Sequence, residues 1–413
     1  MRKKLLFILV TILFIPWAAK SGGYQVGLHG QKQIGMGLVG TSLIFDASCM
    51  FYNPGGLSFV ESKWSISLGM SPIFGYTTFQ KTEPSVYQAD TDNPIGTPFY
   101  FYGAVKINDK LSVGLAINTP YGNRLKWEDN WAGRFLIKDI SLQAIFFQPT
   151  VSYKINDYIG VGAGFVLATG SFNMTKGLPV QGAGGEGEVT LEGKTNNFGF
   201  NIGVQIRPTD KLDIGIDYRS KVMMEVSDAD AADALFSVPK SLQTNFPAEN
   251  TVATTLPLPA NLDFGVSYQA SEKLLLGLSL NYVFWSVYES LDFDFTTNTD
   301  GLQDSENKRE YQNTLIARFG GQYTVNETVA VRAGFYYDPT PTNENYFSPE
   351  TPSLNNLGFT CGFSVYPTDG ISIDVSFLYI MGLEAEKNYQ PDNFGGTYKT
   401  NVFVPGLGLT IDL

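Results

Sequence analysis

Leu212-Asp213-Ile214-Gly215-Ile216-Asp217-Tyr218-Arg219 sets apolar residues on the even positions and polar or small ones on the odd positions. Leu262-Asp263-Phe264-Gly265-Val266-Ser267-Tyr268 and Ile371-Ser372-Ile373-Asp374-Val375-Ser376-Phe377 repeat the alternation. Successive side chains on a strand point to opposite faces, so each stretch carries one apolar and one polar face. In a soluble sandwich the apolar face meets a core. In a transmembrane barrel it meets lipid, and the polar face lines the lumen. Fourteen strands are expected, at 62–80, 98–107, 111–119, 140–155, 159–174, 187–207, 212–226, 251–269, 274–290, 310–325, 329–338, 353–367, 371–386 and 398–413.

The connections decide between the two. Every second one is tight: Asn108-Asp109-Lys110, Asn156-Asp157-Tyr158, Thr209-Asp210-Lys211, Ser271-Glu272-Lys273, Asn326-Glu327-Thr328 and Thr368-Asp369-Gly370. Asn, Asp and Gly tolerate the backbone angles of such turns. The others, 81–97, 120–139, 175–186, 227–250, 291–309, 339–352 and 387–397, are long and polar. Short turns on one side and long loops on the other are the pattern of an outer-membrane barrel, with the short turns periplasmic. The fold expected for 62–413 is therefore all-β, a 14-stranded antiparallel transmembrane β-barrel. Lipid-facing rows include Leu274, Leu276, Leu278, Leu280 and Tyr282, and Val329, Val331, Ala333, Phe335 and Tyr337. Lumenal ionisable groups expected are Asp213, Asp217, Arg219, Asp263, Arg318, Arg332 and Asp374.

Composition agrees. The 413 residues include 30 Phe, 22 Tyr and 43 Gly, and the mean hydropathy is −0.04. A net charge of −12 argues against a nucleic-acid partner, which recruits basic patches. Cys49 and Cys361 are too few for a disulfide scaffold, though a bridge between them stays open. The one histidine, His29, leaves no basis for a Ser-His hydrolase or a multi-histidine metal site. HExxH, CxxC, GxSxG and Walker patterns are absent. No enzymatic activity, metal or cofactor is expected.

Met1-Arg2-Lys3-Lys4 followed by the apolar run 5–19 has the form of a signal peptide, with a cut after Ser21. Residues 22–61 are Gly-rich and do not fit a strand pair. A 14-stranded barrel encloses more space than its own side chains fill. The segment is expected inside as a plug, a periplasmic extension being the alternative.

Three motifs in register carry a resemblance. Gly23-Tyr24-Gln25 with Asn53-Pro54-Gly55-Gly56-Leu57 comes first. Thr119-Pro120-Tyr121-Gly122, Trp131-Ala132-Gly133-Arg134-Phe135 and Gln148-Pro149-Thr150 follow, then Gly395-Gly396-Thr397-Tyr398-Lys399. The chain resembles the FadL family of outer-membrane transporters for long-chain fatty acids and aromatic hydrocarbons. It departs at Gly55, where the hatch motif has Ala, and at Leu413, where such barrels commonly end in an aromatic residue.

The resemblance implies an N-terminal hatch over 22–61, ligand capture by extracellular loops, a lumenal pocket and lateral release at a kinked third strand. Here that strand is expected to end or break at Pro120, Tyr121 and Gly122. Proline lacks the N–H a ladder needs. Trp127, Trp131 and Phe135, at i, i+4 and i+8, would share a face of a short helix and form a capture groove, or pack as loop core. Ser227 would cap a second helix through Phe236. Arg318 and Arg332 would meet a ligand carboxylate or pair with lumenal Asp. Expected partners are a hydrophobic ligand, outer-membrane lipid and the barrel-insertion machinery, and the protein is expected to be a monomer. A general diffusion porin for polar solutes is the competing reading.

Overall fold

The computed structural model describes residues 23–81, 83, 85–182, 185–227 and 231–413. The expected signal peptide lies outside them. Fourteen antiparallel strands close into one barrel. They are β1 (64–81), β2 (87–106), β3 (Leu111–Lys126), β4 (Asp139–Asn156), β5 (Ile159–Gly182), β6 (Gly185–Thr209) and β7 (212–226). The second half is β8 (249–271), β9 (274–295), β10 (305–326), β11 (Val329–Asp338), β12 (Asn356–Thr368), β13 (Ile371–Tyr389) and β14 (Phe394–Asp412). Each pairs with its chain neighbours, and β14 returns to β1, with Ser65 opposite Asp412.

The short turns form because their first side chain closes them. Asn108 Oδ1 accepts from the N–H groups of Lys110 and Leu111 at 2.9 Å each. Asn156 does the same for Tyr158 and Ile159, and Asn326 for Thr328 and Val329. The side chain mimics a backbone turn. The outer face is the alternating apolar set, with Leu278, Tyr282, Val331 and Phe335 exposed. The inner face holds Asp217, Arg219, Arg332 and Asp374, all buried. Cys361 is on the exposed face and Cys49 is buried, and both are free, so no bridge joins them.

Several expectations give way. The third strand does not end at Thr119: β3 continues to Lys126, with a register shift between Asn118 and Tyr121. A bulge absorbs the proline and pairing resumes. The loop expected at 175–186 is largely ladder, since β5 and β6 pair as far as Gly182 opposite Gly185. The helix expected from Ser227 to Phe236 is instead a strand, Ala232–Ser237, joined to β6 and β8. Its residues alternate buried and exposed, and two unfilled sheet edges outcompete a helix too short to stand alone. Residues 228–230 of that expectation lie outside the description.

Residues 24–59 are mostly buried and bond to several strands of the barrel. Gly37 N–H donates to Thr360 Oγ1 on β12 at 2.8 Å, and Asn53 Nδ2 donates to Val204 O and Gln205 Oε1 on β6 at 3.0 and 2.9 Å. Lys32 pairs with Asp46 at 2.9 Å and approaches Asp374 of β13 at 3.9 Å.

Candidate functional site

Three neighbouring strands are interrupted together. β1 breaks at 71–73, β2 at 91–98 and β3 bulges at Pro120. A single bridge, Ile73 opposite Gly96, spans the first two breaks. A cavity of about 320 Å³ lies against this stretch, lined by Val26, Ile73, Gly96, Thr119, Tyr121 and Leu142 among others.

The N-terminal segment docks on the same place. Val26 N–H donates to Pro120 O at 2.8 Å and Gly122 N–H to Tyr24 O at 3.0 Å, placing Gln25 opposite Tyr121. The bulge turns groups of β3 inward, and this extended tripeptide satisfies them as an added strand would. Tyr24 then points its ring into an aromatic cage. Trp285 lies 4.9 Å away edge-on, Tyr288 6.0 Å and Tyr121 6.3 Å. The Tyr24 hydroxyl donates to Pro257 O.

A small apolar chamber of about 80 Å³ borders Tyr24, lined by Leu142, Ala144, Phe172, Met174, Met224 and Leu258. A second cavity, about 250 Å³, is two-sided. Asp217, Arg219, Asp263 and Arg318 line one side, and Leu28, Leu38, Leu378 and Val404 the other. Arg219 donates to Phe51 O at 2.6 Å and Gln148 Oε1 at 3.0 Å. Among the described residues Arg318 keeps only a loose contact of 3.8 Å with Asp263, and its Nε has no partner there. His29 borders this cavity, 3.9 Å from the Phe51 ring centre. Burial, reinforced by the Arg219 guanidinium, pushes its imidazole down to about 3.

The other sequence-derived residues distribute as follows. Asn53 Oδ1 accepts from Gly55 N–H at 3.0 Å and caps the turn Pro54–Phe59. A Cβ on Gly55 would stand 2.8 Å from Gln205 N, Gly160 O and Gly203 O, so the departure to Gly lets the turn sit directly on β5 and β6. Trp127 and Trp131 stack at 4.2 Å, nearly parallel and fully buried. They are joined by turns rather than a helix, because Trp127 is held by a bridge to Thr91. Phe135 stands apart, under Arg134 and against Gly177. The three do not form an open groove. Arg332 is tied to Gln322 at 2.8 Å and Ser364 at 2.6 Å, away from the cavity, while Arg318 borders it. Sequence reasoning missed the cage residues Trp285, Tyr288 and Tyr311. The signal was present: alternation lapses at Phe284-Trp285-Ser286 inside an otherwise regular strand.

The comparisons fit this geometry. The model of the family described as outer membrane protein transport protein (OMPP1/FadL/TodX) matches residues 12–412. The chain belongs to this family. It is an outer-membrane protein. The long-chain fatty acid transport protein of Escherichia coli K12 is 21% identical over 443 residues, covering 98% of each chain. The 47 kDa outer membrane protein of Pasteurella multocida is 24% identical, covering 97% of this chain and 96% of that one. Among solved structures, a Pseudomonas aeruginosa FadL homologue superposes with a TM-score of 0.81 at 19% identity, over 95% of this chain and 100% of the other. The Ralstonia pickettii toluene transporter TbuX gives 0.70 at 16% identity, over 93% and 98%. At these identities the structures speak to the fold alone.

Proposed function

We propose that this FadL-family protein takes up hydrophobic molecules, long-chain fatty acids first among them, holds them in the lumen and releases them sideways into the membrane. Residues 22–61 act as the hatch once segment 1–21 has been removed. The observation that carries the reading is the coincidence of three interrupted strands with the docking point of Gly23-Tyr24-Gln25-Val26. The ligand tail enters the apolar chamber beside Tyr24 and displaces the ring from its cage. Withdrawing Tyr24 and Val26 removes the bonds that seal the Pro120 bulge, and the tail leaves through the weakened wall. Each CH₂ kept out of water favours lipid over the periplasm by about 0.8 kcal/mol. A carboxylate fits Arg318, whose guanidinium is incompletely engaged. Relatives named as long-chain fatty acid transport proteins support a hydrophobic cargo.

The test locks the seal. Gln25 and Tyr121 face each other as a non-hydrogen-bonded antiparallel pair, the closest kind and suited to a disulfide. In the Gln25→Cys/Tyr121→Cys protein, oxidation should stop fatty-acid uptake and reduction restore it. Equal uptake in both states rules out this route.

A further inference from the structure

A second gap in the wall faces the apolar chamber. β6 pairs with β7 only from Thr209 opposite Leu212 up to Asn201 opposite Arg219. Above that, Ser220 N–H donates to Phe200 O and Phe200 N–H to Ser220 Oγ, both at 2.9 Å. The outer half of β7 (Val222–Val226) then pairs with β8 alone. β6 next finds a partner at Glu192, opposite Asp233 of the extra strand. Among the described residues, no main-chain hydrogen bond crosses from 193–199 to 221–226. One side-chain bond does, from Thr195 Oγ1 to Glu225 O.

The gap begins at the outer rim of the lipid belt. Below it on β6 the outward residues are Ile202 and Phe200, 49% and 47% exposed, and Phe198, 64% exposed, stands at its lower end. Beside it they are Asn196 and Lys194, and on β7 Lys221 and Glu225, all exposed. Aromatic residues girdle a barrel at the membrane interface and charges follow outside it. An unpaired strand edge cannot lie in hydrocarbon, but headgroups and water satisfy it at this level. Directly behind the gap is the chamber, to which Thr195, Met224 and Val226 contribute. Met224 bridges the space, its methyl packed on Gly170 of β5. Methionine is the most adaptable apolar filler. The alternative way in, the extracellular mouth, is roofed by a packed cluster that includes Trp127, Trp131, Phe236, Phe246, Phe295 and Phe347.

We infer that the space between β6 and β7 is a lateral entrance, through which apolar compounds gathered at the outer-leaflet surface reach the chamber, with Met224 as its movable stopper. The inference rests on the proposed function and adds the entry side to it. At about 80 Å³ the chamber is too small to take a benzene-sized guest, which occupies a cavity of about 150 Å³ elsewhere. Rotation of Met224 both opens the entrance and enlarges the chamber.

The test uses cells carrying the full-length protein in their outer membrane and the fluorescent hydrophobe N-phenyl-1-naphthylamine. Asn196→Cys and Glu225→Cys, at outward positions that do not line the chamber, are introduced with Cys361→Ser and joined by a short bifunctional maleimide. Filling by the linked protein should fall to the level of cells without it, while monofunctional N-ethylmaleimide at the same cysteines leaves filling intact. Met224→Ala, which keeps the ladders, should fill faster than the parent. Equal filling of linked and unlinked protein, or slower filling by Met224→Ala, overturns the entrance and leaves the proposed function standing. Absence of filling by every form, the parent included, overturns both.

Discussion

Gly55 and His29 show how single residues fix the N-terminal segment. Gly55 has backbone on three sides, and strands cannot retreat as a flexible side chain could. Gly55→Ala should cost about 1–3 kcal/mol of docking stability, the usual range for overpacking. Limited proteolysis of the segment in the folded barrel reads this directly, and an unchanged cleavage rate would refute the close fit. His29 is buried neutral, with its pKa lowered from 6.5 to about 3. Its contribution is full above pH 6.5 and is lost as pH falls towards 3, by about 1.4 kcal/mol per pH unit, because the released segment binds the proton and the docked one does not. Protease sensitivity of the segment should rise over that window in the parent and not in His29→Phe. Parallel pH profiles would remove His29 as the cause.

At the scale of elements, what was legible in the sequence follows from what is local. The turns at Asn108, Asn156 and Asn326 are closed by their own side chains, so residue type alone locates them. The alternation in β7, β8 and β13 reflects two different solvents on two faces, again a local signature. Pro120 was legible as a disruption but not as a bulge, because the partner that satisfies it, Tyr24–Val26, lies about a hundred residues away. Ala232–Ser237 was misread as helix for the same reason: its state is set by the edges of β6 and β8. The aromatic spacing at Trp127 and Trp131 brought the two rings together, though through turns and inside a roof rather than on an open face. The roof depends on them. Trp131→Ala should destabilise the loop cluster by about 3–5 kcal/mol, the cost of emptying a buried aromatic site. Hydrogen exchange should then rise in 127–138 and 232–246 while the ladders nearer the periplasm stay protected. Uniform protection would mean the roof does not rest on Trp131.

At the scale of the whole molecule, the proposed hatch leaves one wide barrel with no through-going aqueous path. Residues 24–59, mostly buried, are proposed to fill the lumen that 14 strands enclose, and an apolar cluster packs among the long loops. Two contacts of charged groups tie the N-terminal segment to the strands: Lys32, paired with Asp46 of its own segment, approaches Asp374, and Arg219 donates to the Phe51 carbonyl. In the proposed route hydrophobic cargo travels through the wall, whereas a porin would pass ions and polar solutes along the axis. Single-channel recording in planar bilayers separates the two most directly. The full-length protein should show almost no steady conductance, and protein lacking residues 22–61 should show large, long-lived open steps. Large open steps from the full-length protein, equal to those of the deletion, would rule out a filled lumen and favour a diffusion pore.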